Sequence, residues 1–124
     1  MPEKIKILYV DDEQINLKLF IIGMRKNYDV ITAENGLIGL EILAKNEDTK
    51  IVVSDMRMPK MNGLEFIKEA KRKYPNIRFF ILTGYEISEE IQKALNSGLI
   101  ISYFKKPFVV TEIETSIKES LQKN

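Results

Sequence analysis

A chain of 124 residues fits one compact domain around one core, and its 44 % apolar and 30 % charged residues argue against disorder. The formal net charge of +1 gives no sign of direct nucleic-acid binding or of a polybasic membrane surface. Cysteine and histidine are both absent, which rules out a disulfide frame, a thiolate metal site, a Ser-His-Asp triad, an HExxH zinc site and any imidazole base. Chemistry would have to rest on carboxylates, hydroxyls, lysines, backbone groups and a hard metal ion.

Met1-Pro2-Glu3-Lys4 leads into a short apolar run, residues 5–10, that Asp11-Asp12 ends at once. Neither a signal peptide nor a spanning helix is read there, so a cytoplasmic protein without membrane contact is expected. The run predicts a buried strand, and Ile15, Leu19 and Ile22 then share one face of a first helix. Residues 28–33 form a weaker strand, followed by a helix marked by Leu37, Leu40, Ile42 and Leu43. A third strand spans 51–54. The third helix carries Leu64, Ile67 and Ala70, and Asn62 with Glu65 reads as its capping box. Its basic stretch 68–73 reads as a solvated face, and Met56, Met58 and Met61 as loop packing. Residues 79–83 predict a fourth strand. Ser88 before Glu89-Glu90 starts a helix bearing Ile87, Ile91, Ala94 and Leu95, which Gly98 stops. A fifth strand is read at 100–104. Thr111 with Glu114 is read as the cap of a last helix with Ile113, Ile117 and Leu121 on one face, ending at Lys118, Lys123 and Asn124. Five strands separated by helices need crossover connections, so an α/β fold with a doubly wound parallel sheet is expected.

In such a sheet, ligands bind beyond the carboxyl ends of the strands. Asp11 and Asp12 follow the first strand, Asp55 the third, Thr83 ends the fourth, and Lys105-Lys106-Pro107 follows the fifth. Three carboxylates on one rim repel one another, so a pKa rises or a cation neutralises them. Oxygen-only ligands suit Mg²⁺, with Mn²⁺ as a substitute. An aspartate can attack phosphorus to give an acyl phosphate, while Mg²⁺ and a lysine ammonium neutralise the transferred group.

Val10-Asp11-Asp12-Glu13, Ser54-Asp55-Met56-Arg57-Met58-Pro59-Lys60-Met61-Asn62-Gly63, Leu82-Thr83-Gly84 and Tyr103-Phe104-Lys105-Lys106-Pro107-Phe108 resemble, in order and spacing, the signature blocks of response-regulator receiver domains. The likeness covers almost the whole chain, and residues 1–124 are expected to form one receiver domain, alone or as part of a longer regulator or hybrid kinase. The resemblance implies a flavodoxin-like five-stranded sheet of order 2-1-3-4-5 with five helices. It implies Asp55 as phosphoacceptor, Asp12 as a direct Mg²⁺ ligand, Asp11 as a ligand through water, and the backbone carbonyl of Arg57 as a further ligand. Lys106 matches the lysine that contacts the phosphoryl oxygens, with Lys105 a bystander, and the Lys106–Pro107 bond is expected to be cis. Thr83 matches the hydroxyl that turns toward the phosphoryl group. The Arg57 side chain lies where the family varies and tunes phosphoryl lifetime, or is simply a solvated arginine. Tyr103 reads either as the family's aromatic switch or as an ordinary half-buried strand aromatic. As a switch it would be turned outward or disordered before phosphorylation and would reshape the face of residues 87–96 and 111–122. Gly98 to Tyr103 runs one residue longer than the commoner form, as in receivers with the same Asp-Met-Arg-Met-Pro block, some of which precede signalling-enzyme domains. Pro59 and Gly63 read as structural.

The function expected from these residues is a phosphorylation-controlled signalling switch rather than an enzyme. Its partners would be a sensor histidine kinase or phosphotransfer protein, a downstream protein or fused output domain, and a second copy if phosphorylation drives homodimerisation. One rival is a small Mg²⁺-dependent phosphohydrolase with an aspartyl nucleophile. Arg57 stands where such enzymes carry a second acid, which argues against it. Another is a pseudo-receiver docking module, against which the complete set Asp11, Asp12, Asp55, Thr83 and Lys106 argues.

Overall fold

The computed structural model describes residues 3–84 and 86–122. Strands and helices alternate throughout: β1 (Ile5–Val10), α1 (Gln14–Met24), β2 (Tyr28–Ala33), α2 (Gly36–Lys45), β3 (Ile51–Ser54), α3 (Gly63–Lys73), β4 (Arg78–Thr83), α4 (Glu89–Ser97), β5 (Ser102–Lys105) and α5 (Val110–Gln122). The five strands form one sheet in the order β2-β1-β3-β4-β5, and every pairing is parallel. This is the doubly wound, flavodoxin-like arrangement expected from the sequence. No helix among the described residues is long and apolar enough to cross a membrane.

The central strands are buried on both faces, which explains their unbroken apolar sequences. Alternate residues feed two separate cores. Leu8, Val10, Val52, Phe79 and Ile81 pack with α2, α3 and α4 through Leu43, Phe66, Ile67 and Ile91. Ile7, Tyr9, Val53, Phe80 and Leu82 pack with α1 and α5 through Leu17, Phe20, Ile113 and Ile117.

Helix ends follow local chemistry. The Asn62 side chain accepts from the Glu65 amide while the Glu65 carboxylate accepts from the Asn62 amide, the reciprocal box read from the sequence. Ser88 caps α4 by accepting from the Ile91 amide. Gly98 ends α4 at φ 80°, in the left-handed region where a side chain would be strained. Asn35 caps α2 through the Ile38 amide, a cap that the sequence reading did not identify. Lys118 is exposed on α5, and Lys123 and Asn124 lie outside the described residues.

Five expectations about the elements are corrected. Ile87 lies before α4, ahead of its cap Ser88, rather than on the helix. Ile15, Leu19 and Ile22 of α1 are 58 %, 49 % and 61 % exposed, and the buried stripe is Leu17, Phe20 and Met24. The helix is apolar nearly all round, so periodicity offers two stripes, and stacking of Phe20 on Tyr9 at 4.2 Å selects between them. Thr111 does not cap α5. The helix starts at Val110, and the Val109 carbonyl already accepts from Ile113, so Thr111 lies inside the first turn. The fourth strand starts one residue earlier, at Arg78, which pairs with Ile51. The fifth runs over Ser102–Lys105 rather than from residue 100: Ile100 is buried in the connection and bonds back to α4 through the Ala94 carbonyl, and sheet register begins at Ser102.

Candidate functional site

Backbone pairing brings the key carboxylates side by side. The Asp11 amide donates to the Ala33 carbonyl at 3.1 Å, and the Asp55 amide to the Val10 carbonyl at 2.8 Å, so each aspartate extends its strand by one bond. Beyond Asp55 the chain turns through Met56–Asn62 and enters α3. The Gly63 amide donates to the Met56 carbonyl at 2.8 Å, and a Cβ on Gly63 would lie 2.2 Å from the Asp55 carbonyl oxygen. Only glycine lets the start of α3 press against the backbone of Asp55. Lys60 in this turn takes φ 71°, a left-handed conformation that costs a side chain some strain.

Carboxylate oxygens of Asp11, Asp12 and Asp55 lie within 4.8 Å of one another. Asp11 is wholly buried, Asp55 is 5 % exposed, and Asp12 faces solvent. The Lys106 ammonium reaches over the rim to donate to Asp11 Oδ2 at 2.9 Å and lies 3.4 Å from Asp55 Oδ1. Its backbone is fixed by donation from its amide to the Thr83 carbonyl at 2.9 Å, and the Lys106–Pro107 bond is cis, as expected. Lys105 is exposed, and Lys106 is the lysine that reaches the carboxylates. Asp55 Oδ1 also accepts from the Met56 amide at 2.9 Å. Asp11 Oδ1 accepts from the Glu13 amide at 3.0 Å, and its Oδ2 from the Tyr9 hydroxyl at 2.7 Å.

The electrostatics follow from burial. Burial pushes the Asp55 carboxyl up to about 6; Lys106 opposes the shift, and the Asp11 charge adds to it. Burial pulls the Lys106 ammonium down, yet its bonds and proximity to Asp11 and Asp55 outweigh that and hold it above its ordinary value. Tyr9 is raised, first by burial and then by its bond to Asp11, so its hydroxyl stays protonated and donates. Lys106 therefore neutralises part of a cluster that carries more negative than positive charge. The residual donors are all oxygens, a set that fits a hard divalent cation such as Mg²⁺ or Mn²⁺.

Of the residues expected from the sequence, Asp11, Asp12, Asp55 and Lys106 are brought together. Thr83 is buried at the end of β4, where it pairs in register with Lys105. Arg57 lies in the turn after Asp55 with an exposed side chain. Tyr103 is half-buried against the core that holds Ile91 and Ala94, rather than turned outward. Tyr9 was missed. Its signal was available: residues two apart on a strand share a face, so a tyrosine two positions before Asp11 points to the same side.

A family model described as the response regulator receiver domain matches residues 7–118. The chain is 37 % identical over 117 residues to the sporulation initiation phosphotransferase F of Bacillus subtilis (strain 168), covering 94 % of this chain and 93 % of that protein. It is 32 % identical over 120 residues to a chemotaxis protein CheY homolog of Campylobacter jejuni, covering 94 % and 92 %. Among solved structures, a response regulator receiver domain protein from Clostridium thermocellum superposes with a TM-score of 0.88 at 28 % identity, over 95 % of this chain and 94 % of that one.

Proposed function

Since the chain belongs to the response regulator receiver family of two-component systems, we propose that it is a phosphorylation-dependent switch in which Asp55 accepts a phosphoryl group from a phosphohistidine on a sensor kinase or phosphotransfer protein. The observation that carries this reading is the Lys106 ammonium placed between the buried carboxylates of Asp11 and Asp55 at the carboxyl edge of the sheet. In the transfer, an Asp55 carboxylate oxygen forms a bond to phosphorus as the phosphorus–nitrogen bond of the donor breaks. The imidazole leaves with the electron pair and takes up a proton.

Asp12 and Asp55 would hold Mg²⁺ or Mn²⁺, with Asp11 acting through water and the Arg57 carbonyl as a further ligand. When bound, the ion supplies positive charge to the oxygens of the transferring group. Lys106 supplies a second positive charge to the same oxygens, and its position is set in advance by the Thr83 carbonyl. Thr83 offers a hydroxyl from the neighbouring strand end. The exposed Asp12 leaves the cation a route from solvent.

A phosphatase of this kind would need a second carboxylate, acting as general base on the water that attacks the acyl phosphate, and Arg57 occupies the position two residues on. That supports a product that persists as a signal. The signal would leave through the face of α4, β5 and α5, with Tyr103 as its reporter, toward a partner protein, an output domain or a second copy. A cytoplasmic location fits the phosphodonors proposed.

The test is intact-mass spectrometry after incubation with Mg²⁺ and acetyl phosphate. The wild-type chain should gain one base-labile phosphoryl group, and Asp55→Asn none. Equal labelling of the two proteins would refute the assignment.

A further inference from the structure

Asp11 Oδ2 receives two hydrogen bonds, one from Lys106 at 2.9 Å and one from Tyr9 at 2.7 Å. The reading of Asp55 as phosphoacceptor accounts for the first and leaves the second without a role. Tyr9 is 1 % exposed, its ring stacks on Phe20 at 4.2 Å and 14°, and Phe20 in turn meets Phe108, two residues beyond Lys106. The Tyr9 ring thus rests on Phe20 of α1, which rests in turn on the segment that carries Lys106, and its hydroxyl points at one carboxylate oxygen.

We infer that Tyr9 is a positioning residue for phosphoryl transfer: its hydroxyl keeps the buried Asp11 carboxylate satisfied when Lys106 leaves it for the phosphoryl group on Asp55. The inference rests on the reading of Asp55 given above. Lys106 lies between two carboxylates, nearer to Asp11 than to Asp55. A phosphoryl group on Asp55 adds anionic oxygens on the Asp55 side and draws the ammonium that way. Asp11 is wholly buried, so once Lys106 leaves, only a water held by the cation and the Tyr9 hydroxyl can serve its Oδ2. With Tyr9 in place, Oδ2 keeps a charge-assisted bond and Oδ1 keeps the Glu13 amide. Without the hydroxyl, Oδ2 would lose its last side-chain donor at the moment the phosphoryl group is engaged, and a buried oxygen left without a donor is costly. Lys106 would then be held on Asp11.

This role predicts a split that loss of packing would not give. Tyr9→Phe keeps the ring, its stacking and its volume, and removes only the hydroxyl. Asp11 and Asp12 remain available to a cation, so affinity for Mg²⁺ alone should not fall. Affinity for beryllofluoride in saturating Mg²⁺, a probe that places a phosphoryl-like group on Asp55, should fall about tenfold, the scale of one lost hydrogen bond to a charged group. Both are read from amide shifts in NMR titrations of the whole chain, with the wild type alongside. Unchanged beryllofluoride affinity in Tyr9→Phe would overturn the inference. So would an equal loss of Mg²⁺ and beryllofluoride affinity, which would mark Tyr9 as a support for the acidic cluster as a whole.

A wild type that binds Mg²⁺ but never beryllofluoride would instead defeat the reading of Asp55, and this inference with it. Should Tyr9→Phe fail to fold, the wild type still decides. With ring-labelled tyrosine, the Tyr9 hydroxyl-bearing carbon should shift on adding beryllofluoride, as its bond to Asp11 tightens after Lys106 departs. No shift at saturation would count equally against the inference.

Discussion

Asp55→Asn should make the metal-free protein more stable at neutral pH, although it deletes a charged group beside a lysine. In the folded protein the Asp55 carboxyl is pushed from 3.8 to about 6, with burial the largest cause. The folded state therefore holds this proton more tightly than the unfolded chain. Between about pH 4 and 6 the folded state carries more protons, so stability falls as pH rises through that window, and above it the whole cost is present. At about 1.36 kcal/mol per pKa unit, ionised Asp55 costs the fold at most about 3 kcal/mol. Asparagine keeps an oxygen for the Met56 amide and leaves the Lys106–Asp11 pair in place, but loses the Lys106–Asp55 attraction. A net gain of about 1–2 kcal/mol is expected at pH 7, or about 4–8 °C in Tm for a domain of this size. Thermal and urea unfolding in EDTA from pH 4 to 8 would measure it. The gap between variant and wild type should be near zero at pH 4, open through pH 6 and then level off. Saturating Mg²⁺ should narrow it by binding the wild type preferentially. A variant no more stable at pH 7, or a gap independent of pH, would refute the reasoning.

Gly63→Ala should destabilise the fold by about 2–3 kcal/mol, because its Cβ would meet the Asp55 carbonyl oxygen at 2.2 Å and backbone must move; an unchanged urea midpoint would contradict the close approach described. Asp12→Ala should leave the exposed rim folded while removing most Mn²⁺-induced broadening of amides near Asp11 and Asp55, and broadening of undiminished strength would exclude Asp12 as a ligand.

The sheet and the candidate site at its rim were legible because both depend on short-range signals. Buried parallel strands are apolar on both faces, and polar residues directly after them lie at the ligand-binding edge whatever the details of packing. The cap at Asn62 could be read for the same reason: its partner Glu65 is three residues away. What could not be read depended on tertiary competition. Stripes on α1 differ little in hydrophobicity, and it is tertiary partners, Tyr9 and Phe108, that receive Phe20 on the inner side. The start of β5 is set by pairing of Ser102 with Phe80 on a strand far off in sequence. Thr111 offers good cap chemistry but sits two residues too late, since Val109 already accepts the first helical bond. The Tyr9–Asp11 bond needed pleat geometry to be applied to a strand residue that looked like ordinary core.

The sheet also acts as a wall. The core of α2, α3 and α4 and the core of α1 and α5 share almost no side chains across it. Damage to one should leave the other intact, so truncations such as Ile67→Ala and Ile117→Ala should sum in folding free energy. The acidic rim is where that independence ends. Asp11 is tethered through Tyr9 and Lys106 to the α1–α5 side, whereas the turn after Asp55 rests through Met56, Met58 and Leu64 on the other. A phosphoryl group at Asp55 would bridge two cores that otherwise share almost no side chains. Two distant core substitutions that ignore each other in unfolding would then become coupled in ligand affinity, and the size of that coupling would measure how tightly the rim joins the two halves.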